Sequence, residues 1–119
     1  MIRVLVVDDS QAFLNAAAAV VSVTSGFVLA GTASSGEEGV AQAAAMEPEL
    51  VLIDLRMPGI GGREAAAQIT QARPGTGIVL MTADSGRSRA AGSGANYAVV
   101  DKRALTPAAL IAVWESLQS

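Results

Sequence analysis

Five short apolar runs punctuate the chain: Ile2 to Val7, Phe27 to Ala30, Leu50 to Ile53, Ile78 to Met81 and Tyr97 to Val100. They are rich in Val, Ile and Leu and short enough to be strands buried on both faces. Between them the apolar period changes to that of a helix. Ser10 or Asp9 can cap a helix carrying Phe13, Leu14, Ala17, Val20 and Val21. Ser35 with Glu38 three residues on forms a capping box, and that helix must stop before Pro48. Met57 to Gly62 reads as a loop, followed by a helix to about Ala72 and a Pro74-Gly75 turn. Thr106-Pro107 opens a last helix through Leu110, Val113, Trp114 and Leu117. The stretch from Asp84 to Gly94 is where alternation calls for one more helix, but its glycines and serines give it poor propensity, so a short or mobile helix is expected.

Strand and helix alternate five times. That pattern predicts an α/β doubly wound (βα)5 sandwich, with a five-stranded parallel sheet in the order 2-1-3-4-5. At 119 residues the chain is expected to be a single domain, residues 1–119, able to bury a core without metals or disulfides.

Composition narrows the chemistry. There is no Cys and no His, which removes thiolate sites, disulfides and the commonest general base and zinc ligand. A net charge of -3 argues against direct nucleic-acid binding. No apolar run approaches the ~20 residues of a membrane span, and no basic segment leads into a long apolar one, so neither membrane insertion nor secretion is expected and a cytoplasmic site is.

In such sheets ligands bind beyond the carboxyl ends of the strands. Asp8 and Asp9 follow the first strand, Asp54 ends the third, Thr82 ends the fourth, and Lys102 follows the fifth. Clustered carboxylates without His or Cys suit Mg²⁺. A carboxylate beside such a cation can attack a phosphoryl group, with an ammonium and a hydroxyl holding the remaining oxygens. Each residue also has a plain reading: a helix cap for Asp8 and Asp9, a solvated strand end for Asp54, a β-branched strand residue for Thr82, a surface lysine for Lys102. Their joint placement at one sheet edge weighs against all of these at once.

Taken together, Val-Val-Asp8-Asp9-Ser, Asp54-Leu-Arg-Met-Pro-Gly, Leu-Met-Thr82-Ala and Val-Asp-Lys102 resemble the receiver domain of bacterial two-component response regulators, over essentially the whole chain. The resemblance implies that Asp54 accepts a phosphoryl group from a histidine kinase or histidine phosphotransfer protein. It implies that Asp8, Asp9, Asp54 and the backbone carbonyl of Arg56 bind Mg²⁺. It makes Thr82 and Lys102 the sensors of the phosphate, with an unknown downstream protein reading the result, and homodimerisation as one output. The side chains of Arg56 and Asp84 are expected to flank an attacking water and set the acyl-phosphate lifetime.

Two positions depart from the pattern. Arg103 follows Lys102 where the family usually has proline. Val99 occupies the usual aromatic switch position, while Tyr97, on the same strand face one pleat earlier, is the candidate switch residue with Thr82. Thr82 to Lys102 is also about two residues shorter than the pattern. These departures keep open a phosphorylation-independent interaction domain. An aspartyl phosphatase is a weaker rival, because it calls for Asp-x-Asp after the first strand, and a flavin module lacks its Ser/Thr/Gly phosphate loop. The chain stops after its last helix, so it is expected to act alone through partners or as the receiver part of a longer transcription regulator.

Overall fold

A computed structural model describes residues 1–83 and 97–118. The helix expected between Asp84 and Gly94, and the role assigned to Asp84, lie outside the described residues. In chain order the elements are β1 (Ile2–Val7), α1 (Gln11–Ser22), β2 (Phe27–Ala33), α2 (Gly36–Met46), β3 (Leu50–Asp54), α3 (Gly61–Ala72), β4 (Gly77–Thr82), β5 (Tyr97–Asp101) and α4 (Pro107–Gln118). A single 3-10 turn, Lys102–Ala104, joins β5 to α4.

The five strands form one sheet in the order β2-β1-β3-β4-β5, with every neighbouring pair parallel. Alternate residues feed opposite faces, as the period of a strand requires. Val4, Val6, Leu50, Leu52, Val79 and Met81 pack against Leu14, Ala17 and Val21 of α1 and Leu110, Val113 and Leu117 of α4. Leu5, Val7, Val51, Ile53, Ile78 and Leu80 pack against Ala43 of α2 and Ala65, Ala66 and Ile69 of α3. The continuous apolar character of the strands is therefore explained by cover on both faces.

The second face is lined by small residues because its helices lie close. An added Cβ on Gly39 would meet Val7 Cγ2 at 2.9 Å. Gly62 is tighter still: its Cβ would overlap the Asp54 carbonyl oxygen and sit 2.9 Å from Leu55 Cα. Gly62, expected in the loop, lies in the first turn of α3, where the absence of a side chain lets the helix pass directly beside the end of β3; Gly61, also expected in the loop, opens the helix at a positive φ of 77°.

Capping follows the sequence with one change. Ser10 accepts from the Phe13 N–H at 3.2 Å, and Thr106 Oγ1 from the Ala109 N–H at 3.1 Å. Ser35 Oγ accepts from the Glu38 N–H at 3.0 Å, but Glu38 Oε1 returns to the N–H and hydroxyl of Ser34, at 2.8 and 2.9 Å, instead of to the cap residue. These bonds hold the exposed Glu38 carboxyl below its usual range. β2 runs three residues beyond the expected Ala30. A bulge shifts its register between Val4 and Leu5 of β1, and Gly31 leaves room for the Met46 thioether. Among the described residues no helix is long and apolar enough to cross a membrane.

Candidate functional site

The strand order brings the carboxyl ends of β1 and β3 side by side, with β4 and β5 continuing the same edge. The polypeptide after Val7 leaves the sheet through Asp8, whose N–H still bonds the Ala33 carbonyl at 3.0 Å. Asp8 is fully buried, and its Oδ1 accepts the Ser10 N–H at 2.8 Å, which ties the carboxylate to the start of α1. Asp9 is exposed beside it. Asp54 is 7% exposed at the tip of β3 and accepts a hydrogen bond from the backbone N–H of Arg56.

One carboxylate oxygen from each of Asp8, Asp9 and Asp54 lies within 4.8 Å of the others. Lys102 reaches this group from the far edge of the sheet. Its ammonium stands 2.6 Å from Asp8 Oδ2 and 3.3 Å from Asp54 Oδ1. It also lies over the Phe13 ring, 4.7 Å from the centroid, so α1 supplies an apolar, π-rich wall behind the charge. Thr82, buried at the end of β4, completes the edge. Asp54, Arg56, Thr82, Ala83 and Lys102 line an open cavity of about 290 Å³. The structure thus brings together Asp8, Asp9, Asp54, Arg56, Thr82 and Lys102.

Tyr97 is placed elsewhere. It pairs with Ile78 at the opening of β5, while Thr82 pairs with Asp101 at its end. Four residues of strand, ~13 Å, separate those two levels. Tyr97 and Val99 both pack half-buried against the α2–α3 face of the sheet.

The carboxylates at the edge crowd one another electrostatically. Burial first, and then the charge of Asp8, push the Asp54 carboxyl above its ordinary range, although Lys102 and the Arg56 N–H pull the other way. For Lys102 burial lowers the ammonium pKa, but the hydrogen bond to Asp8 and the charges of Asp54 and Asp8 overcome it, so the net shift is upward. The two shifts are consistent: one ammonium charge stands between two buried carboxylate charges and neutralises only one of them. Among the described residues Asp8 Oδ2 has no polar partner besides the Lys102 ammonium at 2.6 Å. A buried carboxylate oxygen in that state, within an all-oxygen donor set, fits a hard divalent cation such as Mg²⁺.

Two contributors were not singled out from the sequence. The spacing of Phe13 makes it a core position of α1, and its place under Lys102 depends on the fold. Asp101 closes onto Arg103 across Lys102, with Arg103 Nη2 2.7 Å from Asp101 Oδ2. An Asp two residues before an Arg at a strand end is a legible turn signal for that pair.

The likenesses of this chain to known proteins agree with the geometry. A family model described as the response regulator receiver domain matches residues 4–112. The response regulator GacA of Pseudomonas viridiflava is 39% identical over 82 residues, which cover 69% of this chain and 38% of that protein. A protein-glutamate methylesterase/protein-glutamine glutaminase of Anaeromyxobacter dehalogenans is 41% identical over 87 residues, covering 73% of this chain and 25% of the relative. The chain therefore matches well under half the length of these relatives. Among solved structures, the response regulator domain of Thermotoga maritima CheB superposes with a TM-score of 0.84 at 23% identity, covering 100% of this chain and 98% of that one. The signal receiver domain of the putative response regulator NarL from Mycobacterium tuberculosis gives 0.79 at 25% identity, covering 99% and 97%. With its sheet order, its acidic edge and its sequence all in agreement, this chain belongs to the response regulator receiver domain family of two-component systems.

Proposed function

We propose that the chain works as a phosphoacceptor switch, with Asp54 taking a phosphoryl group from a partner histidine kinase or histidine phosphotransfer protein. The observation that carries this reading is the position of the Asp54 carboxylate. It opens onto the cavity shared with Thr82 and Lys102, and it stands against the Asp8–Asp9 pair on its other side.

An Asp54 oxygen forms the bond to phosphorus as the bond from phosphorus to the donor's imidazole nitrogen breaks. The electron pair leaves with that nitrogen. Lys102, anchored on Asp8 and touching Asp54, offsets the negative charge that the transfer brings to the edge. The Arg56 N–H favours the ionised form of the Asp54 carboxyl. Asp8, Asp9, Asp54 and the carbonyl of Arg56 would hold Mg²⁺, which when bound supplies charge neutralisation for the phosphoryl oxygens. The chain has no histidine and cannot be its own phosphohistidine donor.

The phosphoryl group adds about -1.5 to -2 charges next to Thr82. The Thr82 hydroxyl then turns to a phosphoryl oxygen and draws the end of β4 with it, which biases the surface formed by β5 and α4 toward a downstream protein or a second copy of the chain. Thr82 acts at the site itself; a part for Tyr97 requires the movement to be relayed along β5. The net charge and the fold support a cytoplasmic, protein-directed role with no direct nucleic-acid contact.

The test is intact mass after incubation with a small phosphodonor, with and without Mg²⁺, for the wild type and Asp54→Ala. One phosphoryl addition that needs Mg²⁺ and vanishes in the variant supports the proposal. Addition that persists in Asp54→Ala refutes it.

A further inference from the structure

Lys102 is the one lysine in the chain, and its ammonium must span from the edge strand to two carboxylates beyond β4. A lysine side chain is a flexible stem carrying a point charge, so its aim depends on how firmly its backbone is fixed. In the receiver pattern the next residue is usually proline, which fixes the backbone through its ring. Here the next residue is Arg103.

The structure supplies a different restraint at that point. Asp101 Oδ1 accepts the Arg103 backbone N–H at 2.8 Å and its Nε–H at 3.1 Å, and Asp101 Oδ2 accepts Nη2–H at 2.7 Å. The three bonds join the residues on either side of Lys102 and cap the 3-10 turn that begins with it. The Asp101 side chain is 15% exposed and that of Arg103 is 74% exposed. An ion pair so open to water contributes little to global stability. Its two-pronged geometry and its backbone bond act locally instead.

We infer that Asp101 and Arg103 are positioning residues that bracket Lys102 and aim its ammonium at Asp8 and Asp54 across the Phe13 ring. The bracket performs with an ion pair what a proline performs with a ring. Its consequence for phosphoryl uptake rests on the phosphoacceptor reading above; its geometry does not.

The single lysine gives a direct test. Lysine labelled with ¹³C at Cε produces one side-chain signal. With Nζ held 4.7 Å from the Phe13 centroid, the two protons on the adjoining Cε are expected to be inequivalent and shifted by the ring. Arg103→Ala and Asp101→Asn are each expected to merge the two protons near the frequency of free lysine. The same variants are expected to slow phosphoryl uptake from a small donor by ~3- to 10-fold, since small misplacements of a reacting charge carry effects of that order or more. Arg73→Ala, which removes the ion pair with Glu47 at 3.5 Å, is the control and leaves both readouts unchanged. A wild-type lysine signal in both Arg103→Ala and Asp101→Asn overturns the inference, even if their melting temperatures fall. If the wild type takes up no phosphoryl group while Arg103→Ala still merges the signals, the bracket stands and the phosphoacceptor reading falls.

Discussion

Replacing Asp54 with the isosteric Asn should make the metal-free protein more stable at neutral pH. Asp54 is 7% exposed, and burial together with the Asp8 charge holds its carboxyl pKa above the ordinary value, against the pull of Lys102 at 3.3 Å. A carboxyl whose pKa is higher in the fold than in the unfolded chain binds its proton more tightly when folded. Its ionised form therefore subtracts from stability, fully so above the folded pKa, and the penalty fades as pH falls through that value toward the unfolded one. Two unit charges separated by 4.8 Å, the limit for these carboxylate oxygens, repel by about 3.5 kcal/mol at an effective dielectric of ~20. Lys102 cancels much of that repulsion, and the Asn amide keeps an acceptor for the ammonium, so the net gain is on the order of 1 kcal/mol. With 119 residues and ~2.1 cal/mol/K of unfolding entropy per residue, 1 kcal/mol corresponds to about 4 °C in Tm. Calorimetric melts in a chelator, at neutral pH and again at about pH 3, below the carboxylate range, make the comparison. An Asp54→Asn protein that melts at or below the wild type at neutral pH, or whose advantage survives undiminished in acid, would show that the buried Asp54 charge does not destabilise the fold.

Three further outcomes follow from the same geometry. Mg²⁺ at ten times its Kd should stabilise the wild type by about 1.4 kcal/mol, and Asp9→Ala, which removes an exposed donor, should abolish that gain in a thermal titration while barely moving the metal-free Tm. Lys102→Ala strips the cation from fully buried Asp8; urea melts should show a loss on the order of 3 kcal/mol, partly recovered by Mg²⁺. Gly62→Ala forces a Cβ against the backbone of Asp54 and Leu55, so it should cost about 2 kcal/mol by the same urea assay and weaken the Mg²⁺ response, because it displaces the end of β3.

Much of this arrangement is legible in the sequence, for a physical reason. A parallel sheet covered on both faces leaves its strands as plain apolar runs, so the residues that interrupt them, Asp8, Asp54 and Lys102, stand out at the strand ends. The strand order then places those ends together. What the sequence hides depends on packing between distant segments. Gly31 looks like a strand breaker, yet it lies inside β2 with the Met46 thioether packed where a side chain would stand. Gly62 looks like loop until the approach of α3 to Asp54 requires it. Phe13 has helical spacing and nothing more, because its partner Lys102 lies in the turn after the far edge strand. Tyr97 shares a face with Val99, as the strand period requires, but only the register with β4 shows how far it stands from Thr82.

In the proposed switch Asp54 itself carries the phosphoryl group. Borohydride reduces an aspartyl phosphate to homoserine, so treatment of the protein after exposure to a phosphodonor and Mg²⁺, followed by peptide mass spectrometry, locates the acceptor. Homoserine is expected at position 54 and at no other acidic residue, with none formed when Mg²⁺ is withheld. Homoserine at Asp8, Asp9 or another carboxylate, with Asp54 intact, would contradict that assignment.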